Sequence, residues 1–138
     1  MKKKIIGILI ILLVTAAGCE KKEQEVEKPK KIENIENTYV LDYEEYRKIT
    51  LDNIISIGVL NNSEDGMKKE TYTKKEDIEG IYDYWKEQKI GQEIPQRCDD
   101  NTTIYTFELK DKSKVSIEKE CDWIIINEKS YDLMETVK

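Results

Sequence analysis

Three cysteines are the side chains with the most distinctive chemistry in this chain, and no histidine accompanies them. The thiols belong to Cys19, Cys98 and Cys121. Without histidine, the chain lacks the usual general base, the usual metal ligand and the Ser-His or Cys-His nucleophile pairs. Its sequence also contains no glycine-rich phosphate loop and no nucleophile elbow. We therefore expect a non-catalytic protein with no cofactor and no metal site.

The first nineteen residues have the pattern of an export signal. Three lysines at positions 2–4 precede an apolar run at 5–14, and small residues then lead to Cys19. A charged segment, a short apolar run and a small-residue cleavage site are typical of a secretory signal. A transmembrane anchor, one alternative, needs about 20 apolar residues, more than this run supplies. A second alternative is a signal cut after Ala17, with an incidental cysteine.

The run Ala16-Ala17-Gly18-Cys19 resembles the lipobox of bacterial lipoproteins, with Ala16 standing where Leu is more common. In that motif a lipid is attached to the cysteine thiol, and the chain is cut just before it. The resemblance implies a signal peptide over residues 1–18. It also implies a lipid-anchored protein at the cell membrane that faces the extracytoplasmic side. Because two acyl chains hold far better than one, a diacylated Cys19 should keep the protein at the membrane.

A charged segment follows Cys19 and precedes the part of the chain that can fold. Residues 20–37 contain one proline and only three apolar residues. Such a composition buries too little apolar surface to offset the entropy lost on ordering. We therefore expect a lipidated cysteine and flexible tether over 19–37. A single domain should occupy 38–138, which is long enough for one modest core.

Residues 73–89 have the pattern of an amphipathic helix. Thr73 and Glu76 match a capping box, in which each side chain bonds the other's free backbone N–H. The apolar side chains recur at i, i+3, i+4 and i+7, which is one helix face, namely Ile78, Ile81, Tyr82 and Trp85. Gly91 and Pro95 should prevent the helix from continuing.

Strands are predicted before this helix. A short extended segment at 38–41 comes first, and the region 49–60 then shows the period-two alternation of a half-buried strand, carried by Ile55, Ile57 and Val59. The polar cluster at 61–66 predicts a turn. Residues 67–72 should return as the second strand of this hairpin.

An antiparallel meander of three to four strands is predicted after Thr102. A turn at 110–113 should place Phe107 opposite Ile117 on the core face. Residues 123–126 are the most apolar strand and should be central, with 131–133 paired beside it. The predicted class is α+β, with one amphipathic helix on an antiparallel sheet in the order β-β-α-β-β-β.

Several of these features together resemble small cell-surface lipoproteins of clostridia and related Gram-positive bacteria. They are the tether, the early Ile-rich strand, the capped helix near residue 75, and the run Ile-x-Ile-Asn-x-Lys-x-Tyr that begins at Ile124. The resemblance covers roughly residues 38–133. No activity is established for such lipoproteins, so it implies only fold and location.

Cys98 and Cys121 form an even pair in a domain expected to be exported, where disulfides persist. A hairpin that turns near Lys112 would bring Cys121 close to Thr103, and Cys98 lies just upstream of that strand. A structural disulfide is the favoured interpretation. It would stabilise by about 3 kcal/mol on the chain-entropy estimate. Two separate thiols and a redox-active pair are the alternatives.

Two acidic loops and two aromatic residues are the other candidate sites. Residues 61–66 echo the start of a calcium loop, but Tyr72 stands where that loop needs a bidentate acid. Residues 99–101 form a second acidic cluster. Tyr84 lies off the apolar stripe of the helix and Trp123 begins a strand, so both are candidate interface anchors, although half-buried packing is the alternative for each.

The sequence favours a tethered accessory module that binds an unidentified protein or peptide. The formal net charge is −6, and loss of the three signal lysines makes the mature chain more acidic. It therefore offers no basic patch for nucleic acid, and its expected contact with the membrane is the lipid on Cys19. A small-ligand or cation sensor is the second hypothesis, and a hydrolase built on carboxylates is the third.

Overall fold

One α-helix and a seven-stranded antiparallel sheet make up the described part of the chain, residues 35–95 and 101–134 of a computed structural model. The α+β class predicted from the sequence is confirmed. In chain order the elements are β1 (Ile54–Ser63), β2 (Gly66–Tyr72), α1 (Lys75–Glu87), β3 (Lys89–Ile94), β4 (Thr102–Leu109), β5 (Lys114–Glu120), β6 (Trp123–Ile126) and β7 (Lys129–Met134). The predicted signal peptide, Cys19 and the tether up to residue 34 lie outside the described residues.

The strands lie in the order β2-β1-β4-β5-β6-β7-β3, so β2 and β3 are the two edges. The prediction that 123–126 is central is wrong, because β1 and β2 add beyond β4 and leave β5 in the middle. Strand β3 was not predicted, because Gly91 was interpreted only as a helix terminator. A Cβ on Gly91 would lie 3.0 Å from the Asp132 carbonyl oxygen, so this glycine permits the close approach of β3 to β7.

The apolar stripe of α1 packs on one face of this sheet. Ile78 and Trp85 are buried, and Ile81 and Tyr82 pack half-buried against the same core. The Trp85 ring meets Tyr105 of β4 edge-on, with 5.1 Å between centroids. The sheet contributes fully buried side chains from five of its strands, among them Ile57, Phe107, Ile117 and Ile124. The predicted facing of helix and sheet is present in the structure.

The ends of α1 differ from the prediction. The helix begins at Lys75 after Lys74, and no side chain caps it, so the capping box at Thr73 is wrong. Strand β2 continues to Tyr72, which leaves Thr73 one residue too early to be the cap. The acidic Glu76 and Asp77 still lie in the first turn, where they interact favourably with the helix dipole.

Strand register differs from the prediction by two residues in both C-terminal hairpins. In the β6–β7 hairpin, Ile124 lies opposite Tyr131 rather than the predicted Leu133. Phe107 lies opposite Val115 rather than Ile117, because only residues 110–112 separate the paired Leu109 and Ser113, two fewer than the predicted register requires. The closing bond of this β4–β5 loop joins the Leu109 N–H to the Ser113 carbonyl oxygen at 2.9 Å. A shift of two residues keeps each side chain on the same face of the sheet, so the side chains predicted to face the core still do so.

Two predictions for the N-terminal part are also wrong. Ile55 is 48% exposed, because the β1–β4 register shifts between Ile54 and Ser56 and turns Ile55 away from the core. In the segment 38–41, a single bridge joins Tyr39 to Lys89. The chain then enters a 3-10 helix, Val40–Asp42, in place of the predicted extended segment.

Candidate functional site: the open face of the sheet

A groove of about 600 Å³ crosses the face of the sheet opposite α1, over β2, β1 and β4. Its apolar surface comes from Leu60, Met67 and Ile104. Met67 is 71% exposed, the highest value among the exposed large hydrophobic residues of the described chain. Contiguous apolar surface of this kind is typical of a docking site.

The floor of this groove is low because β1 carries a glycine there. Gly58 lies between Thr71 of β2 and Thr106 of β4 in the ladder. A Cβ at this position would approach Thr106 no closer than 3.9 Å, so the space above Gly58 is open. A glycine inside a strand often marks close approach of another molecule's backbone.

Charged side chains stand on both sides of the apolar floor. Lys69 and Lys114 line the groove, and neither forms an ion pair with a carboxylate of the described chain. Glu108 lies opposite Lys114 in the ladder and accepts a 3.0 Å hydrogen bond from the Ser56 hydroxyl. The β2 side of the groove therefore has a positive charge that remains available to a partner.

A second groove, of about 760 Å³, lies between α1 and the segment that precedes β1. Its wall carries both signs of charge, with Arg47 and Lys86 among Asp42, Asp83 and Glu87. The Arg47 Nε atom already donates to the Asp42 carbonyl oxygen at 2.9 Å. This mixture indicates no single class of ligand, although its volume would suit the small-ligand hypothesis.

The structure places the two predicted aromatic anchors on opposite faces of the sheet. Tyr84 is 38% exposed and accepts a 2.9 Å hydrogen bond from the Lys119 ammonium. Burial is the largest single influence and disfavours that charged ammonium, but the bond to Tyr84 and the charge interactions with Tyr84, Tyr105 and Asp122 together outweigh burial and raise the pKa of Lys119. Trp123 is half-buried, and its indole N–H donates to Glu120 at 3.1 Å. Tyr84 and Trp123 therefore do not form one site.

Only one member of the predicted disulfide lies in the described chain. Cys121 is exposed in the turn between β5 and β6, with a left-handed φ of 44°. Cys98 lies outside the described residues, so the bridge stays a prediction.

The acidic loops bring no metal-ligand cluster together in the part of the chain that is described. Residues 61–66 form the end of the β1–β2 hairpin, where the Ser63 hydroxyl bonds the Gly66 carbonyl oxygen at 3.4 Å. No group of three His, Cys, Asp or Glu side chains suited to a metal ion occurs within 35–95 and 101–134. Of the second loop, Asp99 and Asp100 lie outside these ranges.

Sequence reasoning missed every residue of the open-face groove. A usable signal was present in β2, where Met67, Lys69 and Thr71 share one face at period two. Gly58 inside a predicted strand was a second. Neither pattern showed which face α1 would leave uncovered.

Comparison with known proteins gives no match to a family model, a curated protein or a solved structure. Among the described residues, no helix has the length and apolarity needed to cross a membrane.

Proposed function

We propose that this chain is a membrane-tethered, non-catalytic binding module that holds a protein or peptide at the cell envelope. A lipid on Cys19 anchors it to the membrane, and the folded domain faces the extracytoplasmic side. The observation that carries the binding role is the open-face groove, with Met67 and Leu60 beside an unfilled floor at Gly58.

The composition of the groove supports a macromolecular partner. The groove runs across three strands, and the apolar side chains of Leu60 and Met67 lie beside the polar Lys69 and Thr71. Interfaces of proteins combine apolar contacts with polar groups at their rim in this way.

Site-specific photocrosslinking in intact cells tests this proposal on the full lipidated chain. A photoreactive phenylalanine analogue replaces Met67 in one variant and Glu76 in a second, since Glu76 is exposed on α1 away from the groove. We expect one dominant adduct from position 67 and none from position 76. Equal capture at both positions, or no adduct from position 67, would refute the binding role of this face.

A further inference from the structure

The two edge strands, β3 and β2, differ in how much of their outer main chain is already hydrogen-bonded. At β3, the Ile90 N–H donates to the Thr38 carbonyl oxygen at 2.8 Å, and the Asn37 N–H donates to Ile90 at 2.7 Å. The chain before β1 thus covers part of that edge. At the other end, β2 pairs only with β1 among the strands of the described chain. Its outer main-chain groups are therefore left for another partner.

The ladder shows which groups those are. The Leu109 N–H donates to the Ser113 carbonyl oxygen, so the main-chain groups of Leu109 point to β5. The same holds for every second residue of β4 counted back from Leu109. Because these groups alternate along antiparallel strands, Gly58 and Leu60 of β1 bond with β4. The intervening residues of β1 point the other way and bond with β2, which pairs Ile57, Val59 and Asn61 with Tyr72, Glu70 and Lys68. The main-chain N–H and C=O groups of β2 that point away from β1 are consequently those of the residues that alternate with these, Met67, Lys69 and Thr71.

These same three residues line the open-face groove. A strand added beside β2 would bond to their main chain, and its side chains would continue the groove by one strand. Lys68 points to the other face, where its ammonium forms a 3.1 Å ion pair with Glu70. Lys69 is thus the charge on β2 that no carboxylate of the described chain neutralises.

We propose that the partner segment is an extended peptide that adds antiparallel to β2 as an eighth strand. It places an acidic side chain beside Lys69 and apolar side chains beside Met67 and Thr71. This inference rests on the proposed binding function and names the class of partner for that site. Strand addition of this kind obtains affinity from the main chain and specificity from alternate side chains.

A second copy of this chain fits the edge less well than an acidic peptide. Two β2 strands related by a two-fold axis place the residue at the axis opposite itself. At the three central positions, that residue is Lys68, Lys69 or Glu70. Like charges directly opposite one another destabilise a strand pair, and lysine on an edge strand commonly prevents self-pairing.

The first experiment measures binding of the blocked peptide Thr-Val-Thr-Glu-Thr-Val-Thr to the full-length lipidated protein in detergent, by fluorescence polarisation. The peptide reads the same in both directions, so it presents Val-x-Glu-x-Val to one face. We expect Lys69→Glu to weaken binding by about tenfold or more, equivalent to about 1.4 kcal/mol. A peptide with Lys in place of Glu should restore binding to this variant.

Lys68→Glu is the matched control, because that lysine is adjacent in sequence and points to the opposite face. It should change affinity by less than about threefold, and the lysine peptide should not recover it. Equal effects at positions 68 and 69 would overturn the proposed register. Concentration-dependent dimers that the peptide does not dissolve would show a second copy on this edge instead.

Peptide backbone methylation tests the main-chain bonds directly. N-methylation of the Glu and Val residues removes donors that face β2 in the antiparallel arrangement, and it should abolish binding. Methylation of the central Thr residues, whose N–H groups point away, should leave the affinity unchanged. The reverse pattern, or equal loss from both, would contradict strand addition. If position 67 still captures a partner in cells, the binding function stands while this inference fails.

Discussion

At the scale of single residues, Tyr46 couples burial to the pH dependence of stability. Its side chain is 3% exposed, and its ring lies 5.7 Å from that of Tyr43. Burial, reinforced by the negative charges of Glu45 and Glu118, raises the pKa of Tyr46 well above its ordinary value of 10.0. In the unfolded chain this phenol ionises at about pH 10, so the folded state holds the proton more tightly.

We predict that this difference makes the protein less stable in alkali. Because the folded pKa is the higher one, the stabilisation is fully present below pH 10 and is lost as pH rises above it. Tyr46 alone should contribute a slope of about 1.4 kcal/mol per pH unit. Urea unfolding between pH 8 and pH 11 measures this slope, and Tyr46→Phe should flatten it.

Tyr105→Phe is the control for this measurement. Burial also raises the pKa of Tyr105, but that residue is only partly buried and Lys119 opposes the shift. Its substitution should therefore flatten the alkaline slope less. If Tyr46→Phe and the parent chain lose stability equally above pH 10, ionisation of Tyr46 does not contribute.

At the scale of elements, the β6–β7 hairpin has a strained turn. Asn127 and Glu128 both adopt left-handed backbone, with φ of 50° and 65°. This two-residue geometry matches the twist of the strands, and Asn followed by Gly is its preferred sequence. Glutamate tolerates the left-handed region less well than glycine does, because its Cβ approaches the following carbonyl oxygen.

We predict that Glu128→Gly stabilises the fold by about 0.5–1 kcal/mol, since the relief of strain exceeds the added flexibility of the unfolded chain. Urea unfolding at neutral pH measures the change. Glu128→Ala retains the Cβ and should give no gain. Glu64 lies in a turn but does not have a positive φ, so Glu64→Gly should not increase stability either. A loss of stability on Glu128→Gly would show that the side chain has another structural role.

The elements themselves could be predicted wherever the apolar period was regular. The stripe from Ile78 to Trp85 identified α1, and alternation from Tyr105 to Leu109 identified β4. The register of the β4–β5 hairpin could not be predicted, because it depends on two residues of loop length and on left-handed backbone at Lys112, which no sequence pattern indicates. The bulge at Ile55 depends on pairing with a strand that follows α1, and local pattern cannot show it.

The candidate site was harder to predict than the elements. Tyr84 and Trp123 were chosen because they are aromatic residues off the main apolar pattern. In the structure both side chains already bond within the domain, to Lys119 and Glu120. The open-face groove depends instead on the order of β2, β1 and β4, in which residues far apart in sequence lie side by side. Chain order alone does not establish that arrangement.

At the scale of the whole molecule, the sheet is asymmetric. One edge is partly covered by the chain that precedes β1, and one face is covered by α1. The uncovered edge and the uncovered face meet at β2, whose Lys69 is available to both. A partner bound there would lie against an edge strand whose outer main-chain groups pair with no other strand of the described domain.

The anchor proposed at Cys19 determines whether such a partner is held at a membrane. We predict that the full-length chain sediments with membranes and resists extraction by salt and alkaline carbonate, because a diacylated cysteine dissociates too slowly to be washed off. Cys19→Ser should lose this retention, whereas Cys121→Ser should keep it. Membrane fractionation with intact-mass measurement checks both variants. Retention of Cys19→Ser in the membrane would support an uncleaved spanning segment, and release of the parent chain would support an ordinary signal cut after Ala17.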